Sequence, residues 1–281
     1  MDGDALLYPL NREGGMMKRL AVGVTILVLV AIPLRAERLA FRIGAGPSFV
    51  SLTDVNAAVL KFNGLIALLN EYSDTLPTVT GQVDPLSAIG GGTAYVAGER
   101  YWITDSLAFG ASLELCSAST AVDGDYDSDG VFSTIAVALD AFGVGLILDG
   151  HFDFLDAGVL LGLDLGIGLY YGGVNRNATF EIPEAFPGNL SSVPPSGETR
   201  YRGLGLGYRA GVSLAYPITD WLRVDSSVLY RSAAIPSLTD EAGDPMDLYG
   251  DGDQQQVELG GITVQFGISI SIDLSPNGEK E

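Results

Sequence analysis

The connections between the alternating apolar segments of this chain run long, short, long, short without exception. Beyond a signal-like start there are eight such segments. The gaps between them are roughly 37, 3, 12, 3, 26, 3 and 22 residues. A closed antiparallel barrel has this form when its rims face different compartments, with tight turns on one side and long polar connections on the other. The expected fold is all-β, an eight-stranded antiparallel transmembrane barrel over 37–274.

Side-chain parity sorts the two faces, because successive residues of a strand point to opposite sides. In 157–173, Val159, Leu161, Leu163, Leu165, Ile167, Leu169 and Tyr171 share one face, and Gly162, Asp164, Gly166 and Gly168 the other. The stretch 200–216 repeats the pattern, with Leu204, Leu206 and Tyr208 against Gly205, Gly207 and Arg209. In the last segment Ile262, Val264, Phe266, Ile268, Ile270 and Ile272 alternate with Gly, Ser, Thr and Gln. The second face is too small and polar for a dry core, and too rich in Gly for an ordinary solvated face. A narrow lumen inside an apolar, lipid-facing wall accounts for both. In 131–154 the apolar parity changes from Ile135, Val137 and Leu139 to Phe142, Val144 and Leu146, so a bulge is expected near Asp140-Ala141. The parity of 89–103 stays open.

Composition agrees with a membrane barrel. Formal net charge is −20 although 47% of the 281 residues are apolar, with pI near 4.1 and mean hydropathy +0.28. Acidity of this order argues against a nucleic-acid partner. The single cysteine, Cys116, excludes an internal disulfide. Lys18-Arg19, an apolar run from Leu20 to Leu34, and Ala36 have the layout of a signal peptide over 16–36. Residues 1–15 then read as an over-extended start, and 275–281 as a polar tail.

Two turns share a pattern, Tyr101-Trp102-Ile103-Thr104-Asp105-Ser106-Leu107 and Tyr216-Pro217-Ile218-Thr219-Asp220-Trp221-Leu222. Tyr101, Trp102, Tyr216 and Trp221 are the candidate membrane-interface girdle. With these turns, the strand count and the closing segment Gln265–Ile272, the chain resembles the small eight-stranded outer-membrane barrels of the OmpA, OmpX and OmpW type. That closing segment is similar to the signal read by the barrel-assembly machinery, although the strand ends Ile272-Asp273-Leu274 rather than on an aromatic residue. The resemblance implies a monomer in the outer membrane of a diderm bacterium, with lipid and the assembly machinery as partners. It does not carry a function, because one architecture serves many.

Four constellations carry candidate chemistry. Arg42, Glu114, Asp149, His151, Asp153, Asp164, Arg209, Arg223 and Asp225 have lumen parity and read as an ion-pair network, with a gated polar path as the sharper alternative; Arg231 shares their parity. His151 is the only histidine. Lipid-modifying barrels use a histidine near the outer rim, and His151 lies near a short turn at the other one, so an enzyme is not expected. Asp125, Asp127 and Asp129 match the first half of a calcium loop, but the twelfth position is Ala136. Soluble acidic loops are the plainer reading, with weak Ca2+ as the alternative and no other cofactor expected.

Finally, Val55, Val59, Phe62, Ile66 and Leu69 share one face of a short amphipathic helix over 54–71 in the first external loop. Thr53 or Asp54 is the expected cap, and Asn56, Asn63, Asn70 and Glu71 lie opposite. This helix can lie on lipid, pack on other loops, touch a partner or close the barrel mouth. A lid over an apolar pocket is similar to OmpW-type barrels, which are associated with small hydrophobic molecules. The favoured function is structural or surface-interaction through acidic loops. Gated passage of small hydrophobic compounds comes second and a lipid-acting enzyme third.

Overall fold

The computed structural model describes residues 37–156, 158–186 and 193–274. The expected start, signal segment and polar tail lie outside the described residues. In chain order the elements are β1 (Arg38–Ser51), α1 (Thr53–Thr75), β2 (Val79–Thr80), β3 (Gly92–Trp102), β4 (Leu107–Ser128), β5 (Val131–Asp156), β6 (Leu160–Phe180), β7 (Gly197–Pro217), β8 (Leu222–Ile235), β9 (Val257–Glu258) and β10 (Gly260–Asp273). Eight of the strands are long, and each pairs antiparallel with its neighbour. The ladder from Arg38↔Asp273 to Ser51↔Gly260 joins β1 to β10, and β10 also pairs with β8. The sheet therefore closes into a barrel with no long edge left unpaired.

The short turns follow from their threonines. The Thr104 hydroxyl accepts the Leu107 amide at 3.0 Å, and the Thr219 hydroxyl accepts the Leu222 amide at the same distance. In both turns the preceding isoleucine amide bonds the leucine carbonyl at 2.9 Å. One sequence pattern thus makes one turn twice.

The outward face over the lower part of the barrel is predominantly apolar, with Glu99 of β3, opposite Phe41, set among these residues. Phe41, Ile43, Phe109, Leu148, Ile167, Leu206, Phe266 and Ile270 are all exposed, Leu206 by 74%. Inward positions carry charge, or glycines that make room for it. A Cβ at Gly166 would lie 2.6 Å from an Asp149 carboxylate oxygen, and one at Gly145 would lie 2.5 Å from the Tyr170 ring. Those glycines are the holes into which the inner side chains of neighbouring strands fit.

Higher up, the faces keep their parity but exchange their chemistry. On β5, Ile135, Val137 and Leu139 point inward and are buried, while Asp140 is exposed. The expected bulge at Asp140-Ala141 is absent: the β4–β5 register runs without a shift through Ala118↔Ala141, Ser119↔Asp140 and Thr120↔Leu139. What changes at this height is the chemistry of each face, not the side on which the residues lie. An irregularity does occur lower on β5, between Asp153 and Leu155, where it pairs with β6. On β3, whose parity the sequence left open, Ala94, Val96 and Trp102 face inward and Tyr95 outward.

The upper tier has an apolar core of its own. Val55, Val59, Phe62, Ile66 and Leu69 of α1 are at most 1% exposed, among Ile135, Leu139, Val174, Ile235, Leu238, Met246 and Leu248. Of the positions open to the helix it thus takes the barrel mouth, not the lipid. Its N-cap is Leu52, without a side-chain cap bond, rather than Thr53 or Asp54. The Asp54 carboxylate instead accepts the Gln256 amide at 3.0 Å, which ties the start of the helix to the connection before β9.

Candidate functional site

The lumen holds two linked charge clusters. In the upper one, Arg209 clamps both oxygens of Asp149 at 2.7 Å and bonds the Ser112 hydroxyl at 2.8 Å. Arg231 donates to Glu114 at 2.5 Å, and Glu114 also lies 3.6 Å from Arg209. In the lower one, Arg100 pairs with Asp164. His151 meets Asp164 through Nδ1 and Asp153 through Nε2, both at 2.9 Å. Arg42 lies 3.9 Å from Asp225 and donates to the Ser227 hydroxyl at 2.9 Å. Buried charges are tolerable only when matched in this way. A cavity of about 30 Å³ remains between Arg42, Arg100, Trp102, His151, Asp153 and Arg223. That is room for a water molecule, not for an open channel.

The structure places Arg42, Glu114, Asp149, His151, Asp153, Asp164, Arg209 and Asp225 in these groups inside the barrel. Arg223 lies beside Trp102 instead, with its guanidinium 5.8 Å from the ring centroid. Arg100, which pairs with Asp164, was missed because the parity of its strand was open. Trp102 is a correction. It is buried in the lumen, under the Arg38 guanidinium at 4.4 Å and edge-on to His151 at 5.3 Å. Consecutive strand residues cannot share a face, so Tyr101 and Trp102 cannot both be girdle residues. Tyr216 and Trp221 are exposed and Tyr101 is half-buried on the outer side.

The acidic segment at the end of β4 is not an open loop. Asp123, Asp125 and Asp127 sit on β4 opposite Ala136, Thr134 and Phe132 of β5. A two-residue turn, Asp129 at φ 53° and Gly130 at φ 85°, joins the strands. This is type I′ hairpin chemistry. Asp125 accepts the Thr134 hydroxyl at 2.7 Å, and Asp127 accepts the Gly130 amide at 2.7 Å. Carboxylates at alternate strand positions stand about 7 Å apart, so these do not converge on one ion. Among the described residues no group of three or more His, Cys, Asp or Glu is placed to hold a metal.

The helix over the mouth is fastened by a device of which the sequence showed only the residues. Asn56, Asn63 and Asn70 lie seven residues apart, and each amide makes a two-way bond with the backbone of one residue in the extended segment 81–91. Asn56 bonds Ile89 N and O at 2.8 and 3.0 Å. Asn63 bonds those of Leu86 at 2.7 and 2.9 Å, and Asn70 those of Val83 at 3.0 and 2.9 Å. The periods match: seven helical residues advance about 10.5 Å, and three residues of extended chain about 9.3 Å. Val83, Leu86 and Ile89 also bury their side chains. The segment is thus a strap, clipped to α1 by its backbone and sunk into the core by every third residue.

On the far side of α1, Lys61 reaches Asp251 and Asp253 at 2.5 and 2.6 Å. Those two hydrogen bonds hold the lysine well above its usual pKa, and the same contact holds Asp251 below the usual carboxylate range. The Phe62 ring stacks near Phe180 at 6.1 Å and Tyr249 at 5.2 Å.

No protein-family model matches the sequence, and no curated protein does. Among solved structures the chain is similar to the outer membrane protein OprG from Pseudomonas aeruginosa, at 11% identity over 85% of this chain and 97% of that one, with a TM-score of 0.37. It is similar at 12% identity to a major outer membrane protein from Thermus thermophilus, over 83% of this chain and 99% of that one, with a TM-score of 0.38. The translocator domain of the autotransporter NalP from Neisseria meningitidis aligns at 11% identity over 92% and 95%, with a TM-score of 0.20. The barrel itself stands on this chain's own closed strand ladder.

Proposed function

We propose that this chain is an outer-membrane β-barrel with a sealed mouth, whose role is structural and surface-interacting rather than conductive or catalytic. The sealed mouth carries the reading. The face of α1 that carries Val55, Val59, Phe62, Ile66 and Leu69 is buried in a core shared with the barrel wall and the connection between β8 and β9, and the strap is clipped along its side. Below the seal, the matched charges fill the lumen. Membrane placement is supported by the outward belt of Leu, Ile, Phe and Val, interrupted at Glu99 of β3, around a polar interior, the arrangement that lipid selects and water disfavours. Strands of 14 residues, such as β1, β8 and β10, exceed the ~9–11 needed to cross a bilayer. Lipid and the assembly machinery are the partners this placement implies, with Gln265–Ile272 as the closing-strand signal.

Catalysis by His151 is disfavoured because each ring nitrogen already meets a carboxylate oxygen, leaving neither to activate a hydroxyl. Passage of small hydrophobic molecules would require the helix and strap to leave the mouth together. Planar-bilayer recordings test the reading: the intact protein gives no steady conductance, while deletion of 53–91 opens a path for ions or a hydrophobic dye. Steady conductance or dye entry through the intact protein would refute the sealed mouth. Recovery of a folded monomer from buffer without detergent would refute membrane placement.

A further inference from the structure

The helix that seals the barrel is apolar on two sides, and the described residues cover only one of them. Away from the core lie Ala57, Leu60, Gly64, Ala67 and Leu68, at spacings of three and four that repeat a helix-packing seam. Leu60 is 73% exposed and Leu68 37%. Their neighbours of the same size on α1, Leu65, Ile66 and Leu69, are buried. Leaving a leucine this open on a helix that already has its core face in place gains nothing for the fold.

Gly64 points the same way. It lies in the interior of a 23-residue helix, where glycine is the worst common choice after proline. In most helices such a residue is explained by a neighbour that leaves no room for a Cβ. Here a Cβ would meet nothing within 4 Å, so none of the described residues explains it. A second helix laid along the seam would, because close axial approach needs the side chain gone at the crossing.

The frame around the seam fixes the sign of the occupant's charge. Asp54 stands at the start of α1 and Glu71 and Asp74 at its end. Asp84 lies exposed on the strap along one flank, with Asp251 and Asp253 along the other. Lys61, the only Lys or Arg in α1, is held between those last two carboxylates. Another copy of this chain, or the phosphates of lipid, would bring like charge to this frame.

We infer that the outer face of α1 is a docking seam for a cationic amphipathic helix of a partner, with the partner's leucine-like side chains beside Leu60 and Gly64 and its lysines or arginines over the surrounding carboxylates. This rests on the surface-interaction reading and names the class of partner it would take.

The test uses the full chain in zwitterionic lipid nanodiscs and a labelled 18-residue helical peptide of Leu, Ala and Lys, with binding to empty discs subtracted. Fluorescence anisotropy should report saturable binding that weakens as salt rises. Leu60→Gln and Gly64→Phe should each weaken it about tenfold or more, as loss of a central anchor does. The same peptide with Glu for Lys should not bind. Gly64→Ala separates docking from folding: it should raise Tm while weakening the peptide. Unchanged binding to Gly64→Phe, equal binding of the Glu peptide, or a Gly64-dependent dimer of the protein in place of peptide binding would each overturn the inference. Absence of peptide binding to a protein properly inserted in discs overturns the seam alone; failure to insert overturns the membrane reading beneath it.

Discussion

The sharpest test of the plug is Asn63→Ala. Asn63 is the central clip, donating to the Leu86 carbonyl at 2.9 Å and accepting the Leu86 amide at 2.7 Å. Alanine removes both bonds and leaves two backbone groups facing a dry surface, since the Leu86 side chain beside them is buried. Two hydrogen bonds at about 1 kcal/mol net each, with part of the penalty for stranded groups, come to roughly 2–4 kcal/mol on local opening of the strap. Amide exchange at Val83, Leu86 and Ile89 should then quicken by about 30- to 700-fold. The barrel strands, which share none of these bonds, should keep their protection. Asn63→Asp is the discriminating partner variant. A carboxylate still accepts the Leu86 amide, but its second oxygen faces the Leu86 carbonyl, so protection should be lost at neutral pH. It should return as pH falls and the protonated carboxyl regains a donor. The reasoning is refuted if Leu86 exchanges at the wild-type rate in Asn63→Ala, or if Asn63→Asp is as well protected as wild type at neutral pH.

Other perturbations probe the remaining tiers. Arg231→Met should cost about 3 kcal/mol in detergent-solubilised unfolding, because it leaves the buried Glu114 carboxylate with only its longer contact to Arg209, and adding Glu114→Leu should restore most of it. Brominated lipid should quench Trp221, which is exposed on the belt, and leave Trp102 in the lumen bright; equal quenching would put Trp102 back on the girdle. The contact of Lys61 with Asp251 should hold the 247–253 segment protected over roughly pH 5 to 10. Because Asp251 is depressed and Lys61 raised, protection falls away as acid passes through the Asp251 value and as base passes through that of Lys61. Lys61→Met should flatten that profile, and an unchanged profile would refute the clamp. Millimolar calcium should leave Tm unmoved, since Asp125 and Asp127 lie along a strand; a clear rise would revive a shared calcium site.

The barrel was legible because parity is a local property. Leu163 to Leu169 and Ile262 to Ile272 announce an outward face without reference to anything distant, and the Thr104 and Thr219 turns announce the rim. The top of β5 was misread because the rule that converts parity into direction depends on the solvent outside the wall. Along one strand, Phe142 to Phe154 face outward where the proposed membrane placement puts lipid, and Ile135 to Leu139 face inward where it puts water. An apparent shift of phase was an inversion of environment. The marker is the cluster of charge at this height, Asp140 with Asp123, Asp125 and Asp127 on the outer face of β4, whereas Glu99 lower down stands among apolar neighbours. Clustered charge on the outer face marks the upper limit of the apolar belt, and above it apolar residues belong to the core.

The plug was legible in part, for a different reason. The apolar series from Val55 to Leu69 gave the helix and its buried face. The asparagines on the other side looked like a solvated surface, because a polar residue on a helix is usually just that. Their regular spacing was the signal, since seven helical residues match three of extended chain only when something extended runs alongside. Val83, Leu86 and Ile89 repeat every third residue about twenty positions on, and the two periods together would have paired the segments. Trp102 and Arg100 illustrate the opposite limit. Val96 and Tyr95 leave the parity of β3 undecided, and only its register against β1, through Arg38↔Trp102 and Leu39↔Tyr101, decides that Trp102 and not Tyr101 enters the lumen. Once it does, Trp102 supplies the surface on which Arg38 and Arg223 can lie side by side, and Arg100 supplies the charge that holds Asp164 beside His151. The lower cluster is therefore a consequence of register between strands, and register is a relation that a single strand's sequence does not contain.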